Sequence, residues 1–273
     1  MILGLFKKKY ATQVSPQVGA TLVREQAFPA KLPAAPVSTL PPVRNVSASG
    51  APPGGTLARE RAEHPPAEAF VVDARAGQPG IAIVNTYGDT DRKATIWQLD
   101  ARDPTRFGTP RKAPFDAEQS RWIMYSAGPV IALPADQLLI HLRYHKPRTA
   151  DGLFVYDIAA DRMRNLGEVQ ADWARGLPFQ FVDSLQASPD AVLVRYQTEN
   201  ERLGPQRYVN HFEHLVLFSP RHRDGLEIAT LGIDDGNVRR WGMAGGKLWL
   251  QTSDDRGDAP RGFVWSLDLG RVL

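Results

Sequence analysis

Four stretches of this chain follow one plan: a short apolar run, a turn, a second run, a polar connection and a third run. The second runs are Ile81-Ala82-Ile83-Val84, Gln137-Leu138-Leu139-Ile140, Ala191-Val192-Leu193-Val194 and Lys247-Leu248-Trp249-Leu250. The third runs are Thr95-Ile96-Trp97-Gln98-Leu99-Asp100, Leu153-Phe154-Val155-Tyr156-Asp157, Leu215-Val216-Leu217-Phe218-Ser219 and Phe263-Val264-Trp265-Ser266-Leu267-Asp268. A unit recurring along a chain restricts the fold to copies of one supersecondary element placed side by side. The runs are short, rich in β-branched and aromatic residues, and punctuated by Gly, Pro and Asp, a texture of strands rather than helices.

Written out, the first unit has strands near 70–72, 81–86, 94–100 and 106–112. The second has 130–133, 137–144, 152–158 and 162–169, and the third 181–186, 191–197, 214–219 and 226–233. The fourth has 238–243, 247–252 and 262–269, ending in a stub at 271–273. The clearest helical candidate is 116–124, a connection between units. Four strands per unit is the make-up of a β-propeller blade. The expected fold is therefore all-β over residues 67–273, a small or partial β-propeller of about four blades. A β-sandwich, which uses strands of the same length, is the alternative. The fourth unit lacks most of its outer strand, and an unpaired edge invites aggregation. Gly19-Ala20-Thr21-Leu22-Val23-Arg24 is apolar enough to supply that strand from the other end of the chain; completion of the ring by a second copy is the other solution.

Ser188-Pro189-Asp190, between the first two strands of the third unit, resembles the Ser-Pro-Asp-Gly turn of the Tol-system family of propellers. Ile96-Trp97-Gln98-Leu99-Asp100 and Val264-Trp265-Ser266-Leu267-Asp268 are similar to the third strand of Trp-Asp repeat propellers. The resemblance covers about three-quarters of the chain, and what it implies is the blade.

Ahead of the repeats, residues 26–66 are dominated by Pro, Ala, Ser and Gly, as in Ala34-Ala35-Pro36, Leu40-Pro41-Pro42 and Ala51-Pro52-Pro53-Gly54-Gly55. Such a stretch buries too little apolar surface to offset the entropy of ordering. Residues 1–66 are expected to be a flexible, proline-rich, disordered N-terminal arm, extended and semi-stiff. Leu40-Pro41-Pro42-Val43 has the form of a polyproline ligand, but so short a motif recurs by chance and a plain spacer is the expected reading.

Composition narrows the function by exclusion. The formal net charge is +3 with 42% hydrophobic residues, and the pI is about 9.2. That excess is too small and too dispersed for nucleic acid to be an expected partner. The absence of cysteine removes disulfides, thiol nucleophiles and thiolate metal sites. No apolar run reaches the roughly 20 residues of a membrane span. Met1-Ile2-Leu3-Gly4-Leu5-Phe6 precedes Lys7-Lys8-Lys9, the reverse of a secretory signal. Residues 1–10 suit at most a weak membrane-surface contact. As written, the chain is expected in the cytoplasm; a longer natural start would make it periplasmic or membrane-associated.

In a four-stranded antiparallel blade the connections from second to third strand share one face. Here they are polar and unequal in length: 88–93, 145–151, 198–213 and 253–258. Uneven loops on a rigid scaffold are where binding usually resides. The candidate binding residues on this face are Arg92, Lys93, Arg148, Arg202, Arg207, Tyr208, Phe212 and Arg256, residue types that dominate protein interfaces. No metal site is expected. His211 and His214 fall on opposite faces of a strand, and Asp89-Thr90-Asp91 and Asp254-Asp255-Arg256-Gly257-Asp258 lack the calcium-loop pattern. No cofactor is expected either, because Gly242-Met243-Ala244-Gly245-Gly246 sits at a hairpin and not between a strand and a helix. No nucleophile elbow is present. The function expected is a non-enzymatic protein-binding module using the charged loop face. By fold analogy alone it is comparable to bacterial toxin-neutralising or envelope-associated factors. The alternative is a propeller hydrolase or lyase with its site at the axial mouth, drawing on Asp73, Asp183 and Arg239 or Arg240.

Overall fold

The computed structural model describes residues 12–47, 66–87, 92–102, 107–111, 125–144, 152–166, 179–199, 211–232, 237–254 and 261–273. The helix expected over 116–124 lies outside these residues. Among the described residues the regular structure is β, arranged in four antiparallel sheets.

Three short strands come first: β1 (Gln13–Val14), β2 (Val23–Glu25) and β3 (Val43–Ser47). Four sets follow. The first is β4 (Pro66–Val72), β5 (Ile81–Tyr87), β6 (Arg92–Leu99) and β7 (Phe107–Arg111). The second is β8 (Tyr125–Leu133), β9 (Gln137–Tyr144), β10 (Gly152–Asp157) and β11 (Arg162–Asn165). The third is β12 (Phe179–Ser188), β13 (Ala191–Glu199), β14 (His211–Phe218) and β15 (Leu226–Leu231). The fourth is β16 (Asn237–Ala244), β17 (Lys247–Asp254) and β18 (Arg261–Asp268). Each set is a meander, and the sheets read β3-β4-β5-β6-β7, β11-β10-β9-β8, β1-β15-β14-β13-β12 and β16-β17-β18-β2.

The chain divides into two compact units, residues 40–166 and residues 1–39 with 167–273. In the first unit, two sheets share a core of Phe70, Ile81, Ile83 and Ile96 on one side and Val130, Leu138, Ile140, Leu142 and Tyr156 on the other. In the second, Leu193, Leu215, Leu217 and Ile228 meet Leu248, Leu250 and Leu267. Alternation puts the remaining side chains on the opposite faces, and these are buried too. Ala69, Val71, Ala82 and Val84 back the first sheet, and Val192, Val194, Val216 and Phe218 back the third.

The arm between Thr12 and Ser47, which composition alone marks as a spacer, carries defined structure. Ser15 caps a single 3-10 turn over Pro16–Val18, and Gly19 ends it at φ 64°, a left-handed conformation that costs glycine nothing. Val18 is buried in the core of the second unit. β2 pairs with β18, Val23 opposite Ser266 and Glu25 opposite Val264, so the fourth sheet takes its fourth strand from the arm. The stub 271–273 is not a strand: Val272 and Leu273 N–H groups both return to Leu269 O, which tucks Val272 into the core. Leu40 packs against the core of the first unit, and Val43–Ser47 lines up against β4.

Candidate functional site: the polar end of the second unit

The first strand of each set shifts register along its partner, between Pro66 and Glu68, Ala127 and Val130, Phe181 and Asp183, and Val238 and Arg240, and β12 shifts again between Gln186 and Ser188. A bulge takes backbone groups out of the ladder, and buried groups must then find other partners. Within each unit the partner is a polar side chain from the preceding sheet. In the first unit Asn85, fully buried on β5, donates through Nδ2 to Ala127 O and accepts from Ala127 N–H, both at 2.7 Å. It thus imitates a peptide group.

The second unit meets the same need with charge. Arg195 holds on β13 the fifth place that Asn85 holds on β5, and it is 7% exposed. Its Nη1 donates to Val238 O at 2.8 Å, while Nε and Nη2 grip the two oxygens of Asp183 on β12, each at 2.8 Å. Glu213 on β14 is 1% exposed; its Oε1 accepts from Val238 N–H at 3.2 Å and from Gln197 Nε2 at 2.7 Å. Glu213 Oε2 lies 3.8 Å from Arg195 Nη1. Trp241 on β16 donates to Asp183 Oδ2 at 3.2 Å and stands with its ring centroid 5.5 Å from the guanidinium. One cation thus serves two carboxylates and a main-chain carbonyl across two sheets.

Burial pushes the Glu213 carboxyl up from its ordinary range, while the Arg195 charge and the bonds from Gln197 and Val238 pull it back. On the opposite face of the same strands, His214 stacks on Tyr196 at 4.7 Å and shares a 2.6 Å hydrogen bond with Glu227, which also accepts from Thr230 Oγ1 at 2.5 Å. Burial, with Glu227 adding to it, pushes the Tyr196 phenol well above its ordinary range.

Glu213 and Val238 stand near the starts of β14 and β16, and Arg195 is the middle residue of β13. β13 stops at Glu199 and β14 starts at His211; β17 stops at Asp254 and β18 starts at Arg261. At the other end, β12–β13 and β16–β17 are joined by two residues each, Pro189-Asp190 and Gly245-Gly246. The seven-residue connection from β14 to β15 also lies at that end, and Glu213 and Val238 of the buried ionic brace stand nearer the other one. A separate groove of about 660 Å³ lies beside the arm, lined by Thr12, Ser15, Gly19, Thr21, Leu22 and Trp265 among others.

Of the residues singled out from the sequence, Arg92 and Lys93 belong to β6, opposite Tyr87 and Thr86. Arg148, Arg202, Arg207, Tyr208 and Arg256 lie outside the described residues. Phe212 is corrected: it is not a loop residue but part of β14, paired with Thr198 and 2% exposed. The alternation Phe212, His214, Val216, Phe218 runs further back than expected and carries Phe212 into the interior. Asp73 is half-exposed and paired with Arg44, and Arg240 stacks on Phe28 of the arm at 4.5 Å, so both are engaged locally. Arg195 and Glu213 escaped the sequence search. Their signal was a charge set inside an apolar run, after Ala191-Val192-Leu193-Val194 and between Phe212 and Leu215. Among the described residues no group of three or more His, Cys, Asp or Glu could hold a metal ion, and no helix is long and apolar enough to cross a membrane.

No protein-family description and no curated protein sequence matches this chain. Among solved structures it is similar to the polysaccharide lyase Uly1, at 8% identity over 75% of this chain and 58% of that one, with a TM-score of 0.29. The chain thus spans less than two thirds of the lyase's length. It is also similar to MucB in complex with MucA(peri), at 10% identity over 73% of this chain and 80% of that one, with a TM-score of 0.13. Likenesses of this size define neither a fold nor an activity for the chain.

Proposed function

We propose that this chain is a protein-binding module that presents the connections at the polar end of its sheets from a rigid scaffold of propeller-blade type. The observation that supports it best is the brace of Asp183, Arg195, Glu213 and Trp241. Arg195 spends its donors on internal acceptors, Asp183 and Val238 O, leaving the cluster the character of a clamp between sheets and not of a reactive centre. Glu213 of the clamp stands two residues from His211, which pairs with Glu199, so the clamp stiffens the strands whose ends flank the 200–210 connection. Fixed anchor points lower the entropy lost when a loop binds, which is how rigid scaffolds gain affinity. The connection itself carries Arg202, Arg207 and Tyr208, residue types that concentrate binding energy in interfaces. Sheets buried on both faces also suit blades stacked in series.

The test uses the intact chain as bait in lysate of its own organism, followed by titration of the identified partner against purified protein. Arg202→Ala/Arg207→Ala/Tyr208→Ala should weaken that partner at least tenfold, while Phe212, a core residue, is left intact. Equal affinity of the two proteins, or capture of no partner by the wild type, overturns the proposal and shifts weight to a small-molecule site.

A further inference from the structure

The arm binds to its own unit in a way that any other copy of the chain can reproduce. Thr12 Oγ1 accepts from Gly232 N–H at 2.9 Å, Gln13 and Val14 pair with Thr230 and Ala229, and Ser15 N–H donates to Ile228 O at 3.0 Å. β2 then crosses to the neighbouring sheet, where Ser266 Oγ donates to Glu25 Oε1 at 2.6 Å and Arg24 lies over the Phe263 ring at 4.7 Å. Beyond it Phe28 meets Arg240, Leu32 rests on Gly242, and Thr39 donates through both N–H and Oγ1 to Pro189 O, at 2.8 and 2.9 Å. The strap therefore closes the edges of two sheets, β15 and β18.

Three observations mark this strap as exchangeable. Its pairing is short, two residues on β15 and three on β18. Its bonds span 220 and 241 positions of sequence, and the chain leaves the unit after Thr39 and re-enters it at Gly167, with a second folded unit in between. And Val23 and Val37, the large apolar side chains most exposed among the described residues at 49% and 88%, both lie on it. Contacts this distant in sequence form late, because loop closure must precede them. Until the strap docks, β15 and β18 offer bare edges, and an identical strap from a second molecule satisfies them with the same bonds.

We propose that residues 12–39 exchange between copies during folding, so that the strap of one chain fills the β15 and β18 edges of another and yields a strand-swapped dimer. Reciprocity makes the assembly two-fold and closed. The swapped and unswapped forms contain the same contacts, so their ratio is governed by concentration at the moment of folding.

The chain lacks cysteine, which makes a disulfide test clean. The unaltered protein is first refolded over a range of concentrations and its mass measured by light scattering. A species of twice 30.2 kDa should rise with concentration, and monomer at every concentration overturns the proposal. Next, a chain with Val23→Cys and a chain with Ser266→Cys are refolded together and oxidised. Because these positions face each other across β2 and β18, a disulfide-linked heterodimer should form well in excess of the linked product of either chain refolded alone. A dimer without that cross-link comes from another surface and overturns the proposal. The double variant in one chain, folded dilute, should close within the chain; failure to do so denies the pairing itself and overturns the proposal as well.

Discussion

Arg195→Met is the substitution that probes the brace most directly. Methionine approximates the length of the side chain and removes its charge and donors. Val238 O loses a buried partner, at about 1–2 kcal/mol. The Asp183 pair contributes little more than about 1 kcal/mol, since the aspartate side chain is 40% exposed and screened. Glu213, at 1% exposure, loses the Arg195 cation 3.8 Å from its Oε2; removing a partner from a buried charge costs about 3–5 kcal/mol where the charge cannot neutralise itself. Here protonation of Glu213 relieves part of that, and methionine recovers some apolar contact. A net loss of about 3 kcal/mol is expected, a large share of the roughly 5–15 kcal/mol that holds a domain together. Urea unfolding followed by Trp fluorescence and far-UV circular dichroism measures it, the first probe reporting on Trp241 beside the cluster. The double variant Arg195→Met/Glu213→Gln should be more stable than the sum of the single effects by at least about 1 kcal/mol, because the glutamine keeps the acceptor for Gln197 and Val238 while deleting the stranded charge. A loss below about 1 kcal/mol for Arg195→Met, with additive behaviour in the pair, would refute the clamp.

Glu213→Gln alone should flatten the dependence of stability on pH. Because burial raises the folded-state pKa of Glu213 above its unfolded value near 4.5, the native state holds the extra proton, and that stabilisation is complete below this pH and lost as pH rises through the folded pKa. Wild type should therefore lose stability relative to the variant on going from pH 4 to neutrality, read from urea midpoints across that range. Asn85→Ala should cost about 3 kcal/mol, because two buried backbone groups of Ala127 lose their partner at about 1–3 kcal/mol each; urea unfolding checks it, and an effect under about 1 kcal/mol would count against the bulge-bridging role. Gly242→Ala should loosen the strap, since a Cβ there would stand 2.3 Å from Leu32 Cδ1 and 3.3 Å from its Cγ, so Leu32 must leave its seat on β16. Trypsin should then cut after the exposed Lys31 about fivefold faster, the equivalent of about 1 kcal/mol of local opening.

How much of this was legible in the sequence follows from which forces write themselves into a local pattern. β9, Gln137–Tyr144, can be read to the residue, because Pro134-Ala135-Asp136 and Lys146-Pro147 flank it and Leu138-Leu139-Ile140 and Leu142 fill its interior. β14 was read three residues short, since His211 and Glu213 look like loop residues until their alternation with Phe212 and His214 is followed inward. The strand near 19–24 is expected from the missing edge of the fourth set, and the residues that pair there are Val23–Glu25. Val43–Ser47 is hidden by the prolines before it and by its own pattern, since Val43 and Val46 stand three apart and face opposite sides of the sheet. The brace was beyond reach for a different reason. It exists because a bulge in one sheet exposes a peptide group to a side chain from another, and neither the bulge nor the crossing has a period along the chain.

The second strands of the four sets carry Asn85, His141, Arg195 and Gln251 at the same fifth place. In the two cases where the partner is described, an amide and a guanidinium do equivalent work on Ala127 and Val238. What selection must preserve at such a position is the ability to reach a main-chain oxygen, and several chemically unrelated side chains meet that requirement. A position governed by such a rule keeps its geometry whatever its letter, so the likeness between the four sets is plainer in their sheets than in their residues.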